Sequence, residues 1–360
     1  MKGHQFNLLL SLLTLCVCFA LGEVAARVLL PPHPIYRAPQ PRHDPHPRLG
    51  WVLRPNQAAF THDESLHINA AGLRDDEEVA AKGPSEKRVL VIGDSVTFAN
   101  GVATAQSYSA VLEKLLTRRG SPARVLNAGV QGYDVHQEAA FLSDRGWALE
   151  PDVVVVGFFE NDVVLRSHVD LYLSSLEEDG EFASGGLRAL IPDEIVYALK
   201  RPRLVVYIGS LLRELRWRFF PPEGDYHAEA IFFDRPSPNS ERAWQQVGES
   251  LATMKREADS CSVELLLTIF PHHGQMLEGA LVHTYQGRIQ EIANHLGVAT
   301  IDLLEVYRNS AARNASPFIP YDGHPNEVGH RIAAETLVEP VAAALGRRPA
   351  GVEAGCEPGS

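Results

Sequence analysis

Leu8–Leu21 is a predominantly apolar run of 14 residues without a charge, preceded by Lys2. That pattern fits the centre of an export signal, with Ala20-Leu21-Gly22 as a small-x-small cleavage site. Extended to Leu30, the run is 23 residues, long enough to span a bilayer as an uncleaved anchor. Glu23 and Arg27 are then spaced i,i+4 and can pair near its end. The sequence leaves both readings of residues 1–30 open, signal peptide or membrane anchor. Either one puts the remainder outside the cytoplasm, tethered in one case and secreted or periplasmic in the other.

Beyond residue 50 the rhythm changes. Trp51–Gly72 alternates loosely and predicts a small β-rich lead-in (50–85). Arg88–Ile92 is a short continuous apolar run, as expected of a strand covered on both faces. Further strands are predicted at Arg124–Asn127, Asp152–Phe159, Val263–Phe270 and Val298–Asp302. Between them, Tyr108, Val111, Leu112, Leu115 and Leu116 form one stripe of a helix ended by Gly120. Asp134 with Gln137 predicts a capping box that opens a helix to about Ala148. Helices are also predicted over Ala280–Leu296 and from an Asn326 cap to about Leu345. Strand alternating with helix implies an α/β fold, a parallel five-stranded sheet with helices on both faces. Such sheets carry their chemistry at the carboxyl ends of the strands.

Pro31–Arg48 contains seven prolines and reads as an extended, solvated linker (31–49). Its His33, His43 and His46 match no metal-site spacing. Arg166–Arg242 is too long for a plain connection and predicts a helical insertion. Within it, Ile195–Phe220 places Leu204, Val205, Ile208, Leu211, Leu212 and Leu215 at helical spacing. Lys200, Arg201, Arg203, Arg213, Arg216 and Arg218 make this stretch basic. It reads as a helix packed on the core with its basic face exposed. A lid, or a helix resting on anionic lipid, are the functional alternatives. Pro202 argues against one unbroken helix. The Gly/Pro-rich residues 347–360 read as a flexible tail.

Composition narrows the choice of function. The 33 basic and 45 acidic residues leave a net charge of −12, the wrong sign for a duplex nucleic-acid reader. The four cysteines form no CxxC pair, and no phosphate-binding GxxxxGK[ST] loop occurs.

Four polar clusters follow the predicted strands. Gly93-Asp94-Ser95 places a serine directly after the first. Asn127-Ala128-Gly129-Val130-Gln131-Gly132 follows the second, Glu160-Asn161-Asp162 the third, and Asp322-Gly323-His324-Pro325-Asn326 precedes the last helix. A serine hydroxyl needs an adjacent base to act as a nucleophile, and histidine suits that task near neutral pH. Asparagine and glycine donors suit a developing oxyanion.

In this order the clusters resemble the SGNH (GDSL) hydrolase superfamily, over about Arg88–Leu345. The stretch HINAAGLRDDE (His67–Glu77) is similar to the lead-in of exported, membrane-tethered members. The resemblance implies a three-layer α/β/α, flavodoxin-like domain over residues 50–346, interrupted by the insertion at 166–242. It implies a serine esterase with Ser95 as nucleophile, His324 as general base and Asp322 as its orienting carboxylate. The oxyanion hole would combine the Ser95 N–H, Gly132 and the Asn161 amide. No cofactor or metal is called for. The implied substrate is an acyl ester or an O-acetylated carbohydrate.

Two positions depart from the pattern. Phe159 replaces the usual glycine before Asn161 and is expected to narrow the floor beneath the oxyanion. Asp322 and His324 are one residue closer than in the common D-x-x-H block, a spacing also seen in relatives that act on polysaccharide O-acetyl groups. Two alternatives to hydrolysis follow. One is an O-acetyltransferase modifying a surface polysaccharide. The other is a non-catalytic carbohydrate- or lipid-binding module. His272 and His273, after the fourth strand, read either as a solvated turn or as substrate contacts.

Overall fold

The computed structural model describes residues 3–164, 176, 191–219, 238–276, 285–313 and 315–347. Its centre is a parallel sheet of β5 (Arg88–Gly93), β6 (Arg124–Gly129), β7 (Val153–Phe158), β8 (Glu264–Ile269) and β9 (Ala299–Asp302). The spatial order is β6-β5-β7-β8-β9, that of a flavodoxin-like doubly wound sheet. All five predicted strands are present, each within two residues of its predicted ends. Their continuous apolar runs reflect burial on both faces. Leu90, Ile92, Val154, Val156 and Leu267 join one core layer, and Val89, Val91, Val153, Val155 and Leu266 join the other.

The first layer is covered by α4 (Val135–Phe141), α7 (Pro238–Ser260) and α8 (Tyr285–Leu296); the second is covered by α3 (Tyr108–Arg118), α9 (Leu304–Ala312) and α10 (Glu327–Arg347). The predicted capping box opens α4, with Asp134 accepting from the His136 and Gln137 N–H groups. Beyond Phe141 this helix continues as a π turn, Leu142–Gly146, and a 3₁₀ turn, Trp147–Leu149. The start of the helix predicted from Ala280 lies outside the described residues, as do residues 348–360 and most of 166–190 and 220–237.

The lead-in forms two antiparallel hairpins, β1 (His43–His46) with β2 (Gly50–Leu53) and β3 (Gln57–Thr61) with β4 (Glu64–Ile68). Leu49, Trp51, Leu53, Ile68 and Leu73 go into the first core layer. The expectation of a solvated linker up to residue 49 is corrected here. β1 lies inside that stretch, with Pro45 paired to Trp51. Proline is tolerated there because each hairpin is a two-stranded ribbon with open edges. The Pro39 carbonyl accepts from Phe60 N, and Arg37 N donates to the His62 carbonyl, so the upstream prolines are docked as well. The three histidines diverge. His33 contacts the Lys200 carbonyl, His43 is buried, and His46 accepts from Leu49 N.

The insertion breaks at Pro202 into α5 (Asp193–Leu199) and α6 (Arg203–Phe219). Among the described residues, the expected packing of this helix on the core is not found. Val205, Ile208, Leu211, Leu212, Leu215 and Phe219 are exposed, and α6 instead meets the end of the N-terminal helix α1 (Gly3–Leu29). The apolar stripe that predicted burial in the domain faces away from it. Over His4–Leu29, α1 is long and apolar enough to cross a membrane.

Candidate active site

β5 ends at Gly93, and the chain turns at once into α2 (Ser95–Phe98). Asp94 caps this turn, its carboxylate accepting from Val96 N at 2.8 Å, which fixes Ser95 at the carboxyl edge of the sheet. Burial pushes the Asp94 carboxyl up, opposed by the Val96 N–H, the His324 charge and the Asn161 amide.

The loop before α10 supplies the partner groups. Asn326 caps α10 through Val328 N and Gly329 N, while its amide donates to the Ser316 and Phe318 carbonyls. Ile319 N donates to the His324 carbonyl. So held, His324 has its Nε2 2.9 Å from Ser95 Oγ and its Nδ1 2.5 Å from Asp322 Oδ1. The Nδ1 proton therefore belongs to the Asp322 bond, leaving Nε2 to accept from the serine hydroxyl. Gly323 (φ +95°) lies between them, in a conformation that favours glycine, and that turn closes the shortened spacing. A Cβ at Gly323 would also sit 2.9 Å from His273 Nδ1.

Burial opposes charge on both members of the pair, yet their mutual bond prevails. Against burial, the contacts of His324 and His62 hold the Asp322 carboxyl well below its usual range. Against burial, the Asp322 hydrogen bond and charge, helped by Asp94, raise His324 above 6.5.

Asn161 lies on the turn after β7, and its Nδ2 donates to the Tyr133 carbonyl at 3.3 Å. Gly132, the neighbour of Tyr133, has φ +77°, and a Cβ there would approach the Trp51 ring at 3.4 Å. The two predicted donors thus come from adjacent loops. Phe159 is partly buried and packs against the layer that holds Val96, Tyr108 and Phe270. The His272 and His273 rings meet at 4.1 Å in a tilted arrangement, with His273 against Gly323 and His272 Nε2 3.6 Å from Glu160. Burial, then His273, pushes His272 down to about 3. The pair backs the Asp322–His324 loop.

Several groups at this site escape sequence reasoning. His62, at the β3–β4 turn, places Nε2 3.3 Å from Asp322 Oδ2, and the Tyr36 hydroxyl donates to the same oxygen. Trp51 Nε1 donates to the Gln131 carbonyl, and the Tyr133 hydroxyl donates to the Trp51 carbonyl. The buried guanidinium of Arg74 donates to the carbonyls of Phe98, Ala99 and Val102, where the Ser95 turn ends. Arg74 lies in the HINAAGLRDDE stretch, the one such signal visible in the sequence.

The sequence profile of the GDSL-like lipase/acylhydrolase family matches residues 91–332, which carry all four polar clusters. The chain belongs to this family. It is accordingly a GDSL-type esterase on an SGNH fold. No curated protein sequence matches it. Among solved structures, it is similar to an acetyl xylan esterase, AlAXEase, at 15% identity and a TM-score of 0.43, covering 71% of this chain and 99% of that one. It is similar to an acetylxylan esterase from Geobacillus stearothermophilus at 16% identity and a TM-score of 0.42, covering 74% and 96%. A third is an α/β hydrolase from the metagenome of Lake Arreo, at 18% identity and a TM-score of 0.42, covering 74% and 97%.

Proposed function

We propose that this GDSL esterase cleaves short-chain acyl or O-acetyl esters through an acyl-enzyme on Ser95, outside the cytoplasm. The carrying observation is the hydrogen-bonded chain Ser95 Oγ, His324 Nε2, His324 Nδ1, Asp322 Oδ1. In the first step Ser95 Oγ forms a bond to the ester carbonyl carbon as its proton passes to Nε2. Asp322, held ionised by its contacts, stabilises the resulting imidazolium. The negative oxygen of the tetrahedral intermediate meets the Ser95 N–H, Gly132 N–H and Asn161 amide. Each such donor is worth roughly 2.7–4 kcal/mol in comparable sites. Collapse breaks the bond to the leaving oxygen, which takes the proton from Nε2. Water, deprotonated by the same nitrogen, then attacks the acyl carbon; the bond to Ser95 Oγ breaks, Oγ takes the proton back from Nε2, and the acid leaves.

The location rests on α1, whose apolar length suits a span, with Lys2 ahead of it as on a cytoplasmic flank. In this reading residues 1–30 anchor the chain and residues from about 31 onward form the extracytoplasmic unit.

The test compares wild type and Ser95→Ala on p-nitrophenyl acetate, butyrate and octanoate, with fluorophosphonate labelling followed by peptide mass spectrometry. Turnover and a label on Ser95 are expected only in the wild type, with acetate and butyrate preferred. Undiminished hydrolysis by Ser95→Ala would overturn the acyl-enzyme reading.

A further inference from the structure

The N-terminal helix and the insertion meet at one place. Glu23 of α1 accepts from Arg203 N and Leu204 N, capping the first turn of α6. Arg203 Nη1 returns to the Arg27 and Leu30 carbonyls, satisfying groups left open where α1 ends. Leu204 lies against Gly22, where a Cβ would approach it at 2.9 Å. The contact is therefore built from both helices' polar termini and a small residue. It is confined to the last third of α1.

A helix of 27 residues is about 40 Å long, against roughly 30 Å of bilayer hydrocarbon. Its Glu23–Leu29 end carries the Glu23–Arg27 pair and so belongs at headgroup level. α6 begins at that level. From there it exposes Val205, Ile208, Leu212, Leu215 and Phe219, spaced 3, 4, 3 and 4 residues along one stripe. Leu212 and Phe219 are 61% and 66% exposed, which no core-facing helix would show. α6 carries four arginines, at 203, 213, 216 and 218, with Lys200 and Arg201 just ahead of it, against the single acidic Glu214, and so opposes the −12 charge of the whole chain. An apolar stripe on a basic helix is the composition of a helix lying in a lipid interface.

We propose that α6 is a second membrane contact, lying in the headgroup region of an anionic bilayer beside the end of α1. The proposal rests on the reading of α1 as an anchor, given above. Through α5 it would also fix the enzyme's posture. Tyr197 of α5 stacks at 5.9 Å on Tyr36, the residue that donates to Asp322.

The experiment uses the full chain in vesicles of phosphatidylcholine with phosphatidylglycerol, with and without brominated acyl chains. A nitrobenzoxadiazole label is placed at Leu212→Cys in a Cys16→Ser, Cys18→Ser background. Labels at Cys16 in the Cys18→Ser chain, and at exposed Glu335→Cys in the serine background, serve as references. The expected result is blue-shifted emission at 212, quenched by the bromines, with 335 unaffected. Loss of much of that quenching is expected when phosphatidylglycerol is omitted. A label at 212 as wet as that at 335, with Cys16 quenched, overturns the α6 proposal and leaves the anchor standing. Blue-shifted but unquenched emission at 212 means that protein covers the stripe, and also overturns it. An unquenched Cys16 overturns the anchor itself.

Discussion

The Tyr36 hydroxyl donates to Asp322 Oδ2 at 3.2 Å, across 286 positions of sequence. His62 Nε2 lies 3.3 Å from the same oxygen, while Oδ1 is taken by His324. The two carboxylate oxygens thus have separate duties, one toward the proposed base and one toward the lead-in. Gly101 makes room for this arrangement, since a Cβ there would lie 2.2 Å from His62 Nδ1. Both Tyr36 and His62 precede the residues matched by the family profile, 91–332. The carboxylate of the family domain is therefore oriented by residues outside it.

Tyr36→Phe removes only the donor and is expected to lower kcat with KM little changed, because the lost contact orients Asp322 and does not touch substrate. A hydrogen bond to a charged group is worth about 1.5–3 kcal/mol, or roughly 10–100-fold in rate. Steady-state kinetics beside a thermal melt separates this from a folding defect. An unchanged kcat would remove Tyr36 from the positioning role.

The protonation state of His324 sets the pH dependence. Burial lowers its affinity for the proton, and the Asp322 bond and charge more than restore it, placing it above 6.5. Only the neutral ring can accept from Ser95. Hydrolysis should therefore rise with pH through an inflection above 6.5. Asp322→Asn withdraws the two main raising causes, so the inflection should move down. The plateau should fall by about 10²–10⁴-fold, since the ring also loses its tautomeric guide. An inflection that stays in place in Asp322→Asn would detach this carboxylate from the titration.

Much of this site was legible because its key residues occupy short clusters at strand ends. Ser95, Asn161 and the Asp322–His324 pair each follow or precede an element whose periodicity is plain. The five strands were legible for the same reason, as apolar runs buried on both faces. The contributions of the lead-in were not. Thr61-His62-Asp63 reads as turn chemistry, and nothing local ties it to a loop beyond residue 320. Tyr36 sits among prolines, a composition that signals extension but says nothing of docking. The apolar spacing of α6 was correctly visible, yet a stripe facing lipid and a stripe facing core have the same period.

Arg74 is the lead-in residue with the largest expected structural effect. Its guanidinium serves three carbonyls at the end of the Ser95 turn and stacks 4.9 Å from the Phe98 ring centroid. Burial pushes it down to about 9, still charged at neutral pH. Arg74→Met keeps the stem but leaves buried carbonyls without donors. A loss of about 3–5 kcal/mol is expected in denaturant unfolding, with fluorophosphonate labelling of Ser95 slowed. Arg74→Lys should fall between, because one ammonium cannot span the same set. A Met variant within about 0.5 kcal/mol of wild type would mean these bonds are dispensable.

Behind Ser95 lies a group of buried carboxyls whose effect is opposite in sign. Asp94, Glu138 and Asp162 are all fully buried. Burial raises each of them. Asp94 and Asp134 raise Glu138 further, and Glu138 and Asp94 do the same to Asp162. A carboxyl whose folded affinity for protons exceeds its unfolded value binds more protons when native. Stability is then complete below the unfolded value and is lost as pH rises through the folded one. Glu138→Gln keeps the shape and removes one titrating group. Melting curves from about pH 5 to pH 9 should show the variant gaining on wild type as pH increases. With Glu138 neutral, Asp94 ionises more readily, and its charge is one of those that raise His324. The activity inflection should therefore move up in the same variant that resists alkaline unfolding. Parallel melting curves and an unmoved inflection would show that Glu138 carries no charge anywhere in this range.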